Sequence, residues 1–434
     1  MRPPASISAS ICLSGSELTR GRTRDANGVF LAAALSRIGI RVREIRIVPD
    51  DYELLVATFR DLAERSDVVI SSGGLGPTAD DLTVAAAAEA FGRLVVRDGE
   101  ARERMLRFAL KRFATEAEIP ANYFKQAEVL EGSEVFLNPT GLAPGFALAT
   151  ERGIFIVLPG VPRELAALYR ERVEPYLRAR FELSPPRAIR RKVLGLPESV
   201  VEARMQELPI AFERLEYGIS ARPGEITIEL LARSDASDND LHEAEKLVDA
   251  EFRGSIIALP TSLGTPVEEE RAHAAYVHHL LLRNGTTLAT AESCTGGLVA
   301  KRLTDFAGSS AYFAGGATTY SNQAKVDLLG VDPAEIERHG AVSEPVAIAM
   351  ARGAKERFRA DHAISITGIA GPGGGTKEKP VGLVWIALAT PDGRILSERL
   401  DLRGDRDAIR ASAAVLALEL LRKNLEDRTP PPGR

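Results

Sequence analysis

A serine, a tyrosine and a lysine lie close together in the last third of this chain. Thr319-Tyr320-Ser321-Asn322-Gln323-Ala324-Lys325 follows Gly315-Gly316 and, before that, Gly308-Ser309-Ser310. Two more glycine-rich polar segments flank this stretch: Ala291-Glu292-Ser293-Cys294-Thr295-Gly296-Gly297 and Thr367-Gly368-Ile369-Ala370-Gly371-Pro372-Gly373-Gly374-Gly375. Three such segments read as the walls of a small-molecule pocket. Ser310, Tyr320 and Lys325, with no histidine in the pattern, point to serine–lysine chemistry on an acyl carbon. Serine is a weak nucleophile until a base takes its proton. Lysine is a base only when neutral, so burial or a nearby cation must lower its pKa. Glycine-rich turns offer backbone N–H groups to an oxyanion or a phosphate.

Each residue also has an ordinary reading. Ser310 reads equally as a turn hydroxyl. Lys325 reads as a solvated lysine on a helix capped by Ser321, and Thr367 as a turn cap at the end of a core strand. Cys294 is a rival nucleophile, because a thiol ahead of a glycine-rich helix start can have a lowered pKa. Small buried cysteines are nevertheless common.

A second candidate site lies in Ser72-Gly73-Gly74-Leu75-Gly76-Pro77-Thr78-Ala79-Asp80-Asp81, which follows an apolar strand at 67–71 and precedes a helix expected over 80–91. A loop between strand and helix suits phosphate, and the C-terminal end of a strand is where open α/β sheets bind ligands. Asp80 and Asp81 are placed either to hold a divalent cation or simply to cap the helix. The loop is neither a Walker A sequence nor a dinucleotide fingerprint.

The elements that must position these residues alternate. Strands are expected at 7–13, 42–48 and 67–71, with helices at 25–36 and 52–65 between them, which predicts a parallel sheet covered on both faces. A strand at 154–158 and a helix from 163 to about 178 close this part. Leu183-Ser184-Pro185-Pro186 reads as a linker. A small α+β unit follows, with strands at 189–193 and 225–231 and helices at 198–207 and 237–252. Residues 259–266 read as a second linker. The last part has a helix to 283, strands at 287–290, 363–367 and 383–389, a hairpin turn at Pro391-Asp392-Gly393, and a helix after Ser343 whose inner face is Val346, Ala349, Met350, Gly353 and Ala354. The tail 429–434 is proline-rich and expected to be disordered.

The 434 residues suggest about three domains. The net charge of −5 argues against nucleic acid as a partner. Two widely spaced cysteines, Cys12 and Cys294, do not suggest a disulfide framework, so a cytoplasmic location is expected. Neither a signal peptide nor a membrane-spanning run is read.

Ordered motifs then connect nearly the whole chain to one family. Gly15-Ser16-Glu17-Leu18, Asp25-Ala26-Asn27, the loop Gly73 to Asp81, Asn122 with Gln126-Ala127, Asn138 with Gly141, and Leu158-Pro159-Gly160-Val161-Pro162 resemble the molybdopterin-binding-like domain of the competence/damage-inducible CinA family. Thr19 and Ala26 depart from its usual pattern, the second removing a hydroxyl. The segments at 291–297, 308–310, 319–325, 340–345 and 368–371, with Lys379-Pro380-Val381-Gly382 and Gly404-Asp405-Arg406-Asp407, resemble the same family's C-terminal amidohydrolase domain. The middle unit is similar to its KH-like insert, though no Gly-x-x-Gly loop for clamping nucleic acid is present.

The resemblance implies an α/β protein: a three-layer α/β/α domain at 1–182, a KH-like α+β domain at 187–257 and an α/β amidase domain at 267–426. It implies hydrolysis of the carboxamide of nicotinamide mononucleotide, with Ser310 as nucleophile and Tyr320 and Lys325 as its activators. Ser293, Thr295, Gly296, Gly297, Thr367, Gly371 and Arg406 would bind that substrate without a cofactor. In the first domain it implies a metal-dependent ADP-ribose pyrophosphatase. Its pocket would comprise Glu17, Asn27, Gly73, Gly74, Gly76 and Thr78, with Mg, Mn or Co on Asp80 and Asp81. A homodimer is expected. The non-enzymatic alternatives are an adaptor in competence or DNA repair and a molybdopterin-binding protein.

Overall fold

A computed structural model describes residues 7–233, 235–259 and 266–427, the side chains of 266–270 excepted. The expected tail and most of the second linker lie outside these residues. Two compact units part between Arg187 and Ala188. Both are mixed α/β.

The first unit is built on a six-stranded sheet. Strands β1 (Ser8–Ser14), β2 (Arg41–Val48), β3 (Val68–Ser72) and β8 (Ile154–Leu158) run parallel in the order β2-β1-β3-β8. The antiparallel β7 (Gly145–Ala149) and β6 (Glu134–Phe136) extend it beyond β8. A separate ribbon joins β4 (Val95–Arg97) to β5 (Glu128–Leu130). Every residue of β1, β3 and β8 is buried, as expected of central parallel strands covered on both faces. On one face lie the helices Asn27–Arg37 and Pro162–Leu168; on the other, Tyr52–Arg65 and Thr83–Phe91. The last of these begins at Thr83, three residues later than expected.

The second unit contains two sheets. Strands β9 (Ala188–Leu194), β10 (Leu215–Arg222), β11 (Glu225–Ala232) and β12 (Ile256–Ala258) form an antiparallel sheet in the order β10-β11-β9-β12, backed by Glu198–Glu207 and Asp238–Glu251. The other sheet has the order β14-β13-β15-β16-β17, from β13 (Leu288–Glu292), β14 (Phe313–Thr318), β15 (His362–Gly368), β16 (Leu383–Ala389) and β17 (Ile395–Asp401). Strands β14, β13 and β15 are parallel, and the rest antiparallel. The hairpin at Asp392-Gly393 joins β16 to β17 as expected. On one face pack Pro266–Asn284, Leu298–Thr304 and Arg406–Asp427; on the other, Asn322–Leu329, Pro333–His339 and Glu344–Phe358. The inner face of Glu344–Phe358 is Val346, Ala347, Met350, Ala351 and Ala354. Ala349 packs partly buried against the same core, whereas Gly353 passes against the Leu329 carbonyl, which an added Cβ would approach to 1.9 Å.

Charged side chains are buried where β9 and the start of β11 meet the helices Pro266–Asn284 and Arg406–Asp427. Lys192 Nζ lies 2.8 Å from Glu225 Oε2. His273 stands between Glu225, at 3.9 Å, and Glu419, at 3.4 Å. Arg422 binds Glu419 through two nitrogens at 2.6 and 2.7 Å and reaches the Gly254 carbonyl at 3.1 Å. Removing one partner of a buried ion pair leaves the other charge uncompensated. Lys192→Met should therefore cost about 3–5 kcal/mol in urea unfolding. The double variant Lys192→Met/Glu225→Leu should recover most of that loss.

Candidate functional site

The three polar segments of the second unit meet at one edge of its sheet. Ser293 follows the last residue of β13, Thr319 follows β14, and Thr367 is the penultimate residue of β15. The chain leaves β13 for β14 through Leu298–Thr304 on one face. It returns from β14 to β15 through helices on the other. The reversal between β13 and β15 is a topological switch point, and the crevice outside the strand ends there is the usual ligand position of an open α/β sheet.

Lys325 is the centre of this edge. It lies in the helix Asn322–Leu329, whose first turn is capped by Ser321 Oγ accepting from Ala324 N. The cap is as expected, but the lysine is not solvated: it is 1% exposed. Its Nζ donates to Ser293 Oγ at 3.2 Å and to the Thr319 carbonyl at 2.8 Å. No carboxylate pairs with it among the described residues, and burial pushes its pKa below the usual lysine value. Cys294 is buried as well, and burial pushes its thiol up to about 11, so it is not a ready thiolate. Both cysteines are free.

Ser310 is placed elsewhere. It lies in the exposed turn Ser309–Ala311 before β14, whereas Thr319 and Lys325 follow that strand. A six-residue strand spans roughly 20 Å, so Ser310 and Lys325 stand at opposite edges of the sheet. The lysine is instead paired with Ser293. The linear string hides this, since Ser293 reaches the same edge from the neighbouring parallel strand. Tyr320 is 61% exposed, and its hydroxyl accepts from Arg406 Nη2 at 2.7 Å. Arg406 Nη1 donates to the Gly371 carbonyl at 2.7 Å. One guanidinium thus ties together the Thr319–Lys325 stretch, the Gly368–Gly375 loop and the last helix.

The glycine-rich turn after Ser293 offers fewer amides than expected. Glu292 is buried beneath it, and its carboxylate accepts from Gly297 N at 3.0 Å, Val299 N at 3.1 Å and Ala300 N at 2.9 Å. Gly296 N donates to the Ser293 carbonyl. A phosphate therefore finds the Gly296 and Gly297 amides occupied. Thr367 Oγ1 donates to the Ala341 carbonyl at 2.8 Å, which fastens β15 to the neighbouring loop. The hydroxyls of Thr295 and Thr319 are buried without a partner. A residue not anticipated is Arg410, whose Nε and Nη2 donate to the carbonyls of Cys294 at 3.1 Å and Thr295 at 2.9 Å.

The chain belongs to the CinA family. A relative named CinA-like protein from Mycobacterium sp. (strain MCS) is 39% identical over 97% of this chain and 100% of its own length. Another from Myxococcus xanthus (strain DK1622) is 38% identical over 95% of this chain and 96% of its own. Residues 270–425 match the family described as CinA C-terminal domain, and residues 10–179 match the probable molybdopterin binding domain. Among solved structures, the competence/damage inducible protein CihA from Agrobacterium tumefaciens is 44% identical, covering 35% of this chain and 93% of its own at a TM-score of 0.35.

The probable molybdopterin binding domain has its own switch point, between β1 and β3. A cavity of about 290 Å³ there is lined by Glu17, Asn27, Gly73, Gly74, Thr78, Asp80 and Asp81, among others. Asn27 Nδ2 donates to Ser72 Oγ and to the Gly160 carbonyl, leaving its buried Oδ1 without a partner. Gly73 and Gly74 have φ of 108° and 65°, and an added Cβ would meet the Ser14 carbonyl at 2.4 Å or Thr83 Oγ1 at 2.2 Å, so only glycine fits either place. Gly76 lies against Asp81, whose Oδ2 an added Cβ would approach to 2.4 Å.

Asp80 and Asp81 do not cap the following helix. Thr78 Oγ1 donates to both, and Thr78 N donates to Asp81 Oδ2 at 2.8 Å. The Thr78 hydroxyl holds Asp80 below the usual carboxylate range. Among the described residues no three carboxylate, histidine or cysteine side chains converge on a metal-sized site. Two adjacent carboxylates fit a hard cation whose remaining oxygens come from water or from a ligand such as a diphosphate. No described helix is long and apolar enough to cross a membrane.

Glu292 holds the turn that carries Ser293 with three charge-assisted bonds, and a buried donor left without its acceptor is costly. Glu292→Ala should lower stability by roughly 3 kcal/mol in chemical unfolding. Glu292→Gln, which keeps an acceptor, should lose less.

Proposed function

We propose that the C-terminal domain is a serine–lysine amidohydrolase that converts nicotinamide mononucleotide to nicotinate mononucleotide and ammonia. The observation that carries this reading is the buried Lys325 amine, without a carboxylate partner among the described residues and 3.2 Å from Ser293 Oγ. Support for the particular substrate comes from the family motifs rather than from the geometry. The nucleophile in this reading is Ser293, not Ser310. It sits on a strand-to-helix turn, the setting in which hydrolases present a nucleophile at the top of a sheet.

In the first step Ser293 Oγ forms a bond to the carboxamide carbon while neutral Lys325 accepts the hydroxyl proton. As the tetrahedral intermediate collapses, the C–N bond breaks and Lys325 returns the proton to the departing nitrogen, which leaves as ammonia. Water then attacks the acyl ester and Lys325 takes one of its protons, which Ser293 Oγ recovers as the C–O ester bond breaks; the carboxylic acid released gives its remaining proton to solvent. Arg406 and Tyr320, at the exposed mouth, are suited to the substrate's phosphate and ring.

Purified protein should release ammonia from nicotinamide mononucleotide. Ser293→Ala and Lys325→Met should each lose at least about a thousandfold in kcat, while Ser310→Ala should retain most activity. Loss in Ser310→Ala with retention in Ser293→Ala would reverse the assignment. Because the base form of Lys325 is neutral, kcat/KM should fall about tenfold per pH unit below its pKa and level off above it. The lowered pKa moves that limb below the position an exposed lysine would give.

A second reading concerns the N-terminal cavity, whose buried Asn27 Oδ1 without a partner is a feature expected of a site awaiting a polar ligand. We infer that it takes ADP-ribose and hydrolyses its diphosphate to AMP and ribose 5-phosphate, and that Asp80 and Asp81 are the residues that would hold a divalent cation. The cation would offset phosphate charge. Asn27 and Glu17 would orient the nucleotide from this chain's side. Release of AMP from ADP-ribose should be abolished by chelator and by Asp80→Asn/Asp81→Asn, and unchanged rates in both would overturn the reading. A cytoplasmic homodimer completes the proposal.

A further inference from the structure

Arg410 reaches the turn after Ser293 from the far side of the sheet. It belongs to the last helix, Arg406–Asp427, which packs on one face of the sheet, whereas Lys325 belongs to a helix on the other. Its Nε and Nη2 reach through to the carbonyls of Cys294 and Thr295. Its remaining partner is Asp407, 3.5 Å away on the same helix. The guanidinium is thus committed to the two carbonyls that follow Ser293.

We propose that Arg410 is a positioning residue that builds the oxyanion site of the Ser293 reaction, an inference that rests on the serine–lysine reading above. In a trans peptide the carbonyl and the N–H point in opposite directions, and the only cis bond among the described residues is Gly371-Pro372. Drawing the Cys294 carbonyl toward the last helix turns the Thr295 N–H toward the face that carries Lys325. Holding the Thr295 carbonyl supports the bond from Gly296 N to the Ser293 carbonyl, at 3.1 Å. That bond in turn sets the direction of the Cys294 N–H, the amide directly after the nucleophile. Among the described residues no carbonyl accepts from the Cys294 or Thr295 amide. Glu292 occupies the amides of Gly297, Val299 and Ala300, so these two are the donors left for a developing negative oxygen. The Thr295 hydroxyl of the same turn is likewise buried without a partner.

The test uses the full chain and a fluorophosphonate probe, independent of the natural substrate. Ser293 Oγ displaces fluoride from phosphorus, Lys325 takes the hydroxyl proton, and the phosphoryl oxygen occupies the oxyanion site. Labelling is located by peptide mass spectrometry and its rate resolved into a binding constant and a maximal rate. In Arg410→Gln the maximal rate should fall about a hundredfold, with the binding constant and the pH profile unchanged. Arg410→Lys, which keeps one donor, should recover part of the loss. Equal maximal rates in wild type and Arg410→Gln would overturn the inference and leave the Ser293 reading standing. A displaced pH profile would also overturn it, because Arg410 would then be acting on the charge of Lys325. Wild type that is not labelled at Ser293 would overturn both readings together.

Discussion

A single carboxylate buried beneath a turn is the constraint on which the C-terminal site depends. Glu292 ends β13 and accepts from three amides of the segment that follows. Without it, the start of Leu298–Thr304 would leave donors unmet in a dry interior. With it, the chain reverses sharply, and Ser293 is delivered to the Lys325 side while Cys294 joins the apolar core on the opposite face. Arg410 completes the arrangement by fixing the carbonyls that the carboxylate does not govern. A negative charge below and a positive charge behind therefore hold a segment that is itself neutral and rich in glycine.

The two ligand-facing edges follow the same rule in sheets of different make-up. The order β2-β1-β3 in one unit and β14-β13-β15 in the other each place a reversal of connection direction beside a glycine-rich turn. Their polar chemistry then diverges. The first edge gathers carboxylates and an amide around an open cavity. The second buries a lone amine.

Much of this was legible in the sequence because the central strands are short segments of apolar and small residues that run into glycine-rich turns. Strands β1, β3 and β15 follow from that pattern, and the helix Tyr52–Arg65 from the helical spacing of Leu55, Phe59 and Leu62. Strand β14 was missed, since Phe313-Ala314-Gly315-Gly316-Ala317-Thr318 is an edge strand of mostly small residues that alternate between half-buried and exposed. Missing it concealed the geometry of the site. With no strand between them, Ser310 and Lys325 look adjacent; with the strand in place they are separated by its length. The importance of Lys325 itself was legible, but its partner was not, because that partner comes from a neighbouring strand and pairing across a parallel sheet leaves no local spacing to read. Arg410 was hidden for a similar reason: it contributes to the turn from over a hundred residues away along the chain.

The buried charges that link the small antiparallel sheet to the C-terminal domain also bear on descent. Lys192 and Glu225 come from that sheet, and His273, Glu419 and Arg422 from the helices it rests on. A recombination event that replaced the small sheet alone would strand Glu419 and His273 beneath a surface that no longer answered them. Such an exchange keeps the contact satisfied only if both of its sides change together.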